Sequence, residues 1–225
     1  MKIGLKSDFE DYYDHCFTSA WEEADKVFER LTTVGMPRST MLLYLDSIGL
    51  ATPLHGRVQE LVPVITERSG MPQRIAEELF EVVVYEDEHL HTGKGKRKLS
   101  CRDALAQFPE AYASVFIPSH PGKGGTSLRY LRVGMRQFWL RYTSHDDWRS
   151  NCGEVSVELL GEEEPAETPH QIPYPLFALD FVKADRLYAV DLNIAPRVGG
   201  TGIEGCLSAP EFYQEITAKM RNGKR

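Results

Sequence analysis

Two strand-like segments near the C-terminal end, joined by a polar turn, constrain the fold of this chain more than any other feature. The segments FALDFV (177–182) and LYAVDLN (187–193) alternate in polarity and contain many β-branched and aromatic residues, a pattern typical of β-strands. The residues between them, 183–186, are mostly polar. The pattern predicts a β-hairpin, so this part of the chain must belong to a sheet.

The predicted hairpin carries three side chains with oxygen donors. Asp180 lies in the first arm, and Asp191 and Asn193 lie in the second. Because residues i and i+2 of a strand project to the same face, Asp191 and Asn193 project together, and hairpin pairing can bring Asp180 beside them. Three such oxygens suit a hard cation such as Mg²⁺, which also binds phosphate oxygens. A simple turn at the end of a strand is the alternative interpretation of the Asp-x-Asn sequence.

A second hairpin is predicted upstream, over residues 128–142, with Gly134 at its turn. It carries Arg129, Arg132 and Arg141. Side chains alternate between the two faces of a strand, and one face of such a hairpin is in contact with solvent. Some of these arginines are therefore expected at the surface.

Four short segments accompany the two hairpins: a buried strand VVVY (82–85), the loop TGKGK (92–96), the apolar segment VFIP (115–118) and WRSN (148–151). Glycines in the loop let backbone N–H groups approach phosphate oxygens, and its lysines add positive charge. The loop lacks the spacing of a P-loop, and an exposed charged turn would have the same composition. WRSN is likewise compatible with a surface turn in which the arginine stacks on the tryptophan.

The order of these segments resembles the ATP-grasp superfamily, in particular the branch of the ribosomal-protein glutamate ligases. The resemblance covers roughly residues 37–205, including GLATP (49–53), which matches a Gly-apolar-x-x-Pro signature. It implies an α+β fold, the ATP-grasp fold, with two α+β lobes enclosing a nucleotide site. The expected domains are a short N-terminal region, 1–36, equivalent to a truncated pre-ATP-grasp domain, and an ATP-grasp domain, 37–225.

The same resemblance implies an activity. It predicts an ATP-dependent carboxylate–amine ligase that acts through an acyl phosphate, with ATP and Mg²⁺ as cofactors and Mn²⁺ as an alternative metal. The expected partners are the nucleotide and a carboxylate–amine substrate pair, with a macromolecular acceptor as an alternative. Asp180, Asp191 and Asn193 would bind the metal, and Arg129 would contact the acyl phosphate.

The resemblance also assigns nucleotide contacts. Arg149 would contact the terminal phosphate of ATP, with Asn151 beside it. Arg38 would lie near the phosphates, although an ordinary surface arginine is the alternative. The backbone of Phe116 and Ile117 would contact the adenine edge, as in the hinge strand of the family.

The chain departs from the family at one nucleotide contact and at its N-terminus. Tyr85 occupies the position at the end of a strand where relatives place a phosphate-binding lysine. Either Lys94 or Lys96 replaces that lysine, or nucleotide binding is weakened or lost. Only about 35 residues precede Met36, in place of a separate domain. The alternatives are therefore an inactive nucleotide-binding module and a macromolecule-tailoring enzyme that uses the basic run 94–98.

Composition limits the function classes. A formal net charge of −7 argues against a protein that mainly binds nucleic acid through its phosphates. The sequence contains neither an apolar run of 18 residues nor a signal-peptide pattern, so a soluble cytoplasmic protein without a membrane partner is expected. The scattered cysteines predict reduced thiols rather than disulfides or a zinc site: they are Cys16, Cys101, Cys152 and Cys206.

Local patterns predict several further elements. Apolar residues at helical spacing predict a helix over 18–31, and a second helix is expected over 39–48, capped by Ser39. An S-x-x-D capping box predicts a short helix over 103–108. The acidic sequence EEEPAE (162–167) predicts a solvated loop.

Overall fold

Two β-sheets organise the structure, a computed structural model that describes residues 36–90, 95–119, 124–163, 172, 174, 176–194, 196 and 198–222. The chain divides into a first unit, Met36–Ser119 with Val182–Val190, and a second unit, which contains His120–Phe181 and Asp191–Arg225. The predicted helix 18–31 lies outside the described residues, as does Lys94.

The sheet of the first unit consists of four antiparallel strands. They are β1 (His55–Arg57), β2 (Glu81–Tyr85), β3 (Lys96–Ser100) and β4 (Tyr112–Val115). The strand order is β1-β4-β2-β3. β2 is an inner strand, and the VVVY sequence that predicted it is buried along its whole length.

Helices pack on this sheet through apolar side chains. They are α1 (Arg38–Ser47), α2 (Val58–Ser69), α3 (Gln73–Leu79) and α4 (Cys101–Gln107). In α2, the buried residues Leu61, Val62 and Ile65 follow helical spacing and share a core cluster with Val82 and Val84 of β2. Each fully buried aliphatic side chain of this size stabilises the fold by roughly 1.5–3 kcal/mol.

The second sheet has five strands in the order β7-β6-β5-β8-β9. They are β5 (Gly125–Val133), β6 (Arg136–Ser144), β7 (Val155–Glu163), β8 (Leu176–Lys183) and β9 (Leu187–Asn193). A 3₁₀ helix (Ile203–Gly205) and helix α5 (Ala209–Asn222) follow. Phe212 and Ile216 of α5 are buried in one cluster with Leu131 and Phe138 of the sheet.

The register of β5 determines which side chains face this core. Leu131 lies opposite Phe138 of β6 and Ala178 of β8, and all three belong to the core cluster. Two residues earlier on β5, and so on the same face, Arg129 lies opposite Asp180. A charged pair therefore continues the apolar face of the sheet.

Both predicted hairpins and the capping box are confirmed. β5 and β6 pair around Gly134, which has φ of +59°, and β8 and β9 are neighbours in the second sheet. The N–H of Asp103 donates to Ser100 Oγ at 3.1 Å. The helix that follows begins at Cys101, two residues before its predicted start.

The predicted cap of α1 is wrong. Pro37 occupies the N-cap position and offers no side-chain hydrogen bond. The N–H of Ser39, in the first turn, donates to Glu88 Oε2 at 2.8 Å, and the N–H of Arg38 donates to the Glu88 carbonyl at 3.1 Å. Because a residue distant in sequence satisfies these donors, the helix needs no local cap. Gly49 follows its end at φ of +83°.

Two strands lie where the sequence predicts loops. β3 begins at Lys96, within the predicted basic loop, and pairs in register with β2. β7 extends to Glu163, so the predicted acidic loop over 162–167 begins inside a strand. Glu162 accepts two hydrogen bonds from Arg136, at 2.5 and 2.6 Å. Both segments form strands because they pair with a neighbouring strand, and the local sequence contains little information about such pairing.

Among the described residues, the cysteines outside any disulfide are Cys101, Cys152 and Cys206. Burial, with a smaller effect of the Glu77 charge, raises the pKa of Cys101 to about 11, so this thiol is protonated at neutral pH. In the part of the chain that the structure describes, the helices are too short or too polar to cross a membrane.

The core assignment predicts unequal costs for two leucine truncations in neighbouring strands. Leu140 is 0% exposed and belongs to the core of the second unit, whereas Leu160 is 41% exposed. Leu140→Ala should lower the free energy of unfolding by roughly 2–5 kcal/mol, because it removes buried apolar area and leaves a cavity. Leu160→Ala should change it by about 0.5 kcal/mol or less. Urea unfolding measures both, and similar costs would show that the core is assigned to the wrong face.

Candidate functional site

A buried ion pair joins two of the predicted site residues in the second unit. Arg129 and Asp180 lie directly opposite each other on β5 and β8. Arg129 Nε donates to Asp180 Oδ1 at 2.7 Å, and Nη2 donates to Oδ2 at 2.8 Å. The side chains are only 11% and 15% exposed. This is the planar, two-point geometry by which arginine recognises a carboxylate.

Tyr142 completes this arrangement, which we call the Arg129 cluster (Arg129, Asp180 and Tyr142). Arg129 Cζ lies 4.5 Å from the centre of the Tyr142 ring, and Nη1 donates to Tyr142 Oη at 3.3 Å. Tyr142 lies on β6, two residues after Leu140, which is the residue opposite Arg129. Ring and carboxylate together hold the guanidinium in one orientation.

Neighbouring charges keep the guanidinium ionised although it is buried. Burial lowers the pKa of Arg129, but attraction and hydrogen bonding to Asp180, with smaller effects of Tyr142 and Asp191, raise it above its ordinary value. Burial also raises the pKa of Tyr142, and Asp180 adds to that rise while Arg129 opposes it. At neutral pH the arginine of the cluster is therefore charged and its phenol is neutral.

The other two predicted metal ligands lie on the neighbouring strand. Asp191 and Asn193 belong to β9, which adjoins β8, and both are partly buried. The charge of Asp191 contributes to the pKa of Arg129, so Asp191 lies within electrostatic range of the cluster. Strand order thus gathers the predicted oxygen donors in one part of the sheet.

The chemistry of these donors fits Mg²⁺ or Mn²⁺. Two carboxylates and an amide oxygen are hard ligands. Both oxygens of Asp180 accept hydrogen bonds from Arg129, but each carboxylate oxygen has a second lone pair. Among the described residues no group of three His, Cys, Asp or Glu side chains has the spacing of a metal site. A site here would depend on the amide of Asn193.

Arg149 is held by its neighbour Asp147. Nε donates to Oδ1 at 2.9 Å, Nη2 donates to Oδ2 at 2.6 Å, and the backbone N–H donates to Oδ1 at 2.8 Å. The side-chain hydrogen bond from Arg149 is the main reason why the pKa of Asp147 lies below its ordinary value. Arg149 Cζ also lies 5.6 Å from the Trp148 ring, the stacking expected of a surface turn. Asn151 is exposed.

The loop that carries Arg149 packs closely on the start of β5. Ser127 Oγ and Ser150 Oγ are 2.6 Å apart. A Cβ added to Gly125 would meet the carbonyl oxygen of Trp148 and come within 3.0 Å of the backbone nitrogen of Ser150. Only glycine permits this approach without movement of the backbone. The sequence contains the glycine, but its role depends on a contact with residues more than 20 positions away.

In the first unit, two cationic side chains lie beside Tyr85. Lys96 is the register partner of Tyr85, and its Nζ lies 6.0 Å from the centre of the ring. Arg38 Cζ lies 5.8 Å from the same ring. Arg38 is 0% exposed, so its interpretation as an ordinary surface arginine is wrong. Tyr85 Oη shares a hydrogen bond with Ser114 Oγ at 3.0 Å.

The predicted hinge segment begins where β4 ends. The N–H of Phe116 donates to the carbonyl of Glu81 at 2.9 Å, so this donor is already used within the sheet. A backbone contact with adenine would fall to the Phe116 carbonyl or to Ile117. Lys98 Nζ lies 4.5 Å from the centre of the Phe116 ring.

One group of residues in the first unit was missed from the sequence. Asp46, His55 and Tyr112 form a hydrogen-bonded chain beside a cavity of about 460 Å³. His55 and Tyr112 are 57 positions apart and meet only because β1 pairs with β4. No local pattern reports such a pairing.

Comparison with solved structures finds similarity to ATP-grasp ligases. The ATP-grasp ligase PsnB in complex with a minimal precursor matches with a TM-score of 0.52 and 18% identity, over 84% of this chain and 61% of PsnB. A RiPP-associated ATP-grasp ligase from Chryseobacterium gregarium, with ADP and a leader and core peptide, has a TM-score of 0.45 and 13% identity, over 99% of this chain and 63% of that one. The macrocyclase MdnC from Microcystis aeruginosa, bound to precursor peptide MdnA, has a TM-score of 0.42 and 15% identity, over 82% and 60%.

The likeness to PsnB establishes the fold: this is an α+β chain with the ATP-grasp fold. The chain spans less than two thirds of the length of PsnB. No protein-family model matches the sequence, and no curated protein matches it at a significant level.

The close packing at Gly125 predicts the effect of one added methyl group. Gly125→Ala should lower the free energy of unfolding by roughly 1–3 kcal/mol, because the new Cβ has no room against the backbone of the Arg149 loop. Gly56→Ala is the matched control, since a Cβ on this strand glycine would meet nothing within 4 Å. Urea unfolding gives the free energies, and hydrogen exchange should show faster exchange in residues 144–154 only in Gly125→Ala. Equal stability of the two variants would contradict the packing.

Proposed function

We propose that this chain is an ATP- and Mg²⁺-dependent ligase that activates a carboxylate as an acyl phosphate and joins it to an amine. The Arg129 cluster is the observation that carries the proposal. A charged arginine held beside Asp180, within range of Asp191, lies in a chain with the ATP-grasp fold. Phosphoryl transfer needs charge neutralisation and positioning rather than a nucleophilic side chain.

Asp180, Asp191 and Asn193 are the residues that would hold the metal. When bound, Mg²⁺ supplies charge neutralisation to phosphate oxygens. The two carboxylates provide the negative charge that a divalent cation needs, and Asn193 adds a neutral oxygen. Asp180 would thus be both a metal ligand and the partner of Arg129, the residue proposed for the acyl phosphate.

Arg129 is the residue proposed to steady the acyl phosphate. Its hydrogen bonds to Asp180 and Tyr142 use three N–H groups, and a guanidinium has five. The two that remain suit oxygens of a phosphate group. The orientation of the guanidinium is set before substrate arrives, so little reorganisation is required as charge develops.

Arg149 and Asn151 are proposed to contact the terminal phosphate of ATP. Asp147 fixes the plane of the Arg149 guanidinium, and the packing of Ser150 on Ser127 fixes its loop. A charged guanidinium held in a fixed plane suits the recognition of a phosphate group.

In the first unit, Lys94 or Lys96 is proposed to take the place of the phosphate-binding lysine whose position Tyr85 occupies, and Arg38 is proposed to lie near the phosphates. The position of Lys96 opposite Tyr85 supports this role, and Arg38 is close to the same ring. Lys94 lies outside the described residues. Phe116, through its carbonyl, and Ile117 remain the proposed adenine contacts.

A peptide acceptor is the second candidate within the same chemistry. PsnB, which shares the fold, was solved with a minimal precursor. A macromolecule-tailoring ligase would therefore take its carboxylate, its amine or both from a peptide. An inactive nucleotide-binding module would bind ATP but release no ADP with any such substrate.

The metal assignment predicts the outcome of removing one carboxylate. Asp191→Ala should abolish the Mg²⁺-dependent part of ATP binding, because it removes a charged ligand. Asp185→Ala, in the exposed turn of the same hairpin with a side chain 62% exposed, should bind as the parent does. Thermal unfolding with ATP, with and without Mg²⁺, measures binding, since a ligand at 100 times its Kd adds roughly 2.7 kcal/mol. Mg²⁺-dependent stabilisation that survives in Asp191→Ala would rule out the assignment.

The two arginines should differ in what their replacement changes. Arg149→Lys should weaken ATP binding roughly ten- to a hundredfold, as expected for the loss of a charge-assisted contact of about 1.5–3 kcal/mol. Arg129→Lys should leave ATP affinity near that of the parent but lower turnover, because its contact develops along the reaction path. Arg141→Lys, at an exposed position of β6 with a surface partner in Glu158, is the control.

Calorimetry gives the ATP affinities, and ADP release with peptides that carry carboxylate and amine groups gives turnover. Full turnover of Arg129→Lys would place the reacting centre elsewhere, while leaving the nucleotide contacts of Arg149 standing.

A further inference from the structure

A cavity of about 460 Å³ lies in the first unit, between the start of α1, the residues that follow β2 and the start of β4. Four carboxylates line it, and no lysine or arginine belongs to the described residues of its lining. Two of them, Glu86 and Glu110, bind arginines at 2.7 and 2.9 Å. Glu88 accepts the N–H of Ser39 at 2.8 Å. The lining offers hydrogen-bond acceptors and negative charge, which disfavour an anionic ligand.

A chain of three side chains runs from this cavity through buried His55 to Asp46, whose side chain is 47% exposed. Tyr112 lines the cavity, and its Oη lies 2.5 Å from His55 Nδ1. His55 Nε2 lies 2.8 Å from Asp46 Oδ2, and Asp46 Oδ1 accepts from Thr52 Oγ1 at 2.5 Å. The imidazole is well buried, with a side chain 7% exposed.

The donors and acceptors fix the direction of the chain. An ionised carboxylate only accepts hydrogen bonds, so His55 Nε2 carries the proton that Asp46 accepts. His55 Nδ1 then has its lone pair, and the Tyr112 hydroxyl donates to it. Tyr112, which lines the cavity, keeps the lone pairs of Oη as acceptors. This is the order acid–histidine–hydroxyl in which a histidine acts as general base.

We infer that Tyr112, His55 and Asp46 form a proton-accepting chain for a primary ammonium ligand in this cavity. The ammonium N–H bond breaks and its proton passes to Tyr112 Oη, while the phenol proton passes to His55 Nδ1. His55 becomes an imidazolium paired with Asp46, and the nitrogen of the ligand keeps its electron pair as a free amine. The positive charge moves from ligand to imidazole, and nothing is oxidised or reduced.

The electrostatic environment agrees with this assignment. Burial, then the charges of Glu88, Tyr85 and Asp46, raise the pKa of Tyr112 to about 12. The phenol therefore stays protonated at neutral pH and relays a proton rather than storing a phenolate. Glu88, which lines the cavity, also attracts a cation, and Asp46 stabilises the imidazolium that forms when His55 takes the proton. The cations near Tyr85 are Arg38 and Lys96, 5.8 and 6.0 Å from its ring. Asp87, His89 and Glu110 also belong to the cavity lining.

A free amine is also the nucleophile that the proposed ligase reaction consumes, and in that respect the inference rests on the proposed function. The chain itself can be tested without ATP. At neutral pH propylamine is almost entirely an ammonium ion and attacks esters slowly. A site that removes its proton should accelerate the reaction of propylamine with p-nitrophenyl acetate to give N-propylacetamide. Positioned general bases contribute about 10²–10⁴-fold.

The experiment measures N-propylacetamide formation by the whole chain at pH 7.5. The expected result is saturable acceleration by the parent and by Tyr188→Phe, a tyrosine of the first unit outside the cavity lining. Tyr112→Phe and His55→Gln should each lose at least tenfold of the acceleration. Tetramethylammonium, a cation without an N–H group, should compete with propylamine without forming product, and propanol should not compete.

Thermal unfolding of each variant separates a chemical role from a structural one. If the three side chains only join α1 to the sheet, Tyr112→Phe will unfold at a lower temperature but will form product as the parent does. That result, or no acceleration by the parent, overturns the inference. Neither result bears on ATP binding, so failure here is distinct from failure of the ligase proposal.

Discussion

The ion pair between Arg129 and Asp180 ties the architecture of the second unit to its proposed chemistry. Each side chain is nearly buried, and removing one partner of such a pair leaves an uncompensated charge, which typically costs about 3–5 kcal/mol. The pair therefore penalises any other register of β5 on β8. A slip of one residue would turn Leu131 and Ala178 away from the core as it separated the charges. The same contact that specifies strand register also orients the guanidinium.

The elements that could be predicted from the sequence are those whose signal is local. Alternating polarity predicted both hairpins, with a turn glycine in one and a polar turn in the other, and an S-x-x-D sequence predicted the cap of α4. The failures are non-local. Ser39 has a capping side chain, but Glu88 already satisfies the first N–H groups of α1. The sequence KRKLS has too much charge to predict a strand, and it becomes β3 because β2 offers it a full register of partners.

In the candidate site, too, single residues could be predicted from the sequence, but the contacts between them could not. The sequence and its resemblance to a family identified Arg129 and Asp180 separately, and strand order makes them a pair. Arg149 was also identified from the sequence. Its hydrogen bonds to Asp147 and the packing of its loop on Gly125, which has no side chain, were not predicted, because those contacts form only on folding. His55 and Tyr112 carried no signal at all. Each is an unremarkable residue until antiparallel pairing of β1 with β4 brings the imidazole to the phenol.

The order of the first sheet has a consequence for how copies of this chain behave in crowded solution. Within the described residues its two edges are β1 and β3, and an open edge can pair with another molecule. β1 has only three residues, too few to template a second strand. β3 is longer but begins Lys-Arg-Lys, and charged side chains on an edge strand disfavour pairing with another edge. The basic residues of β3, considered above for binding phosphate, thus also disfavour self-association. Neutralising them would leave an edge strand that can pair with another copy of the chain.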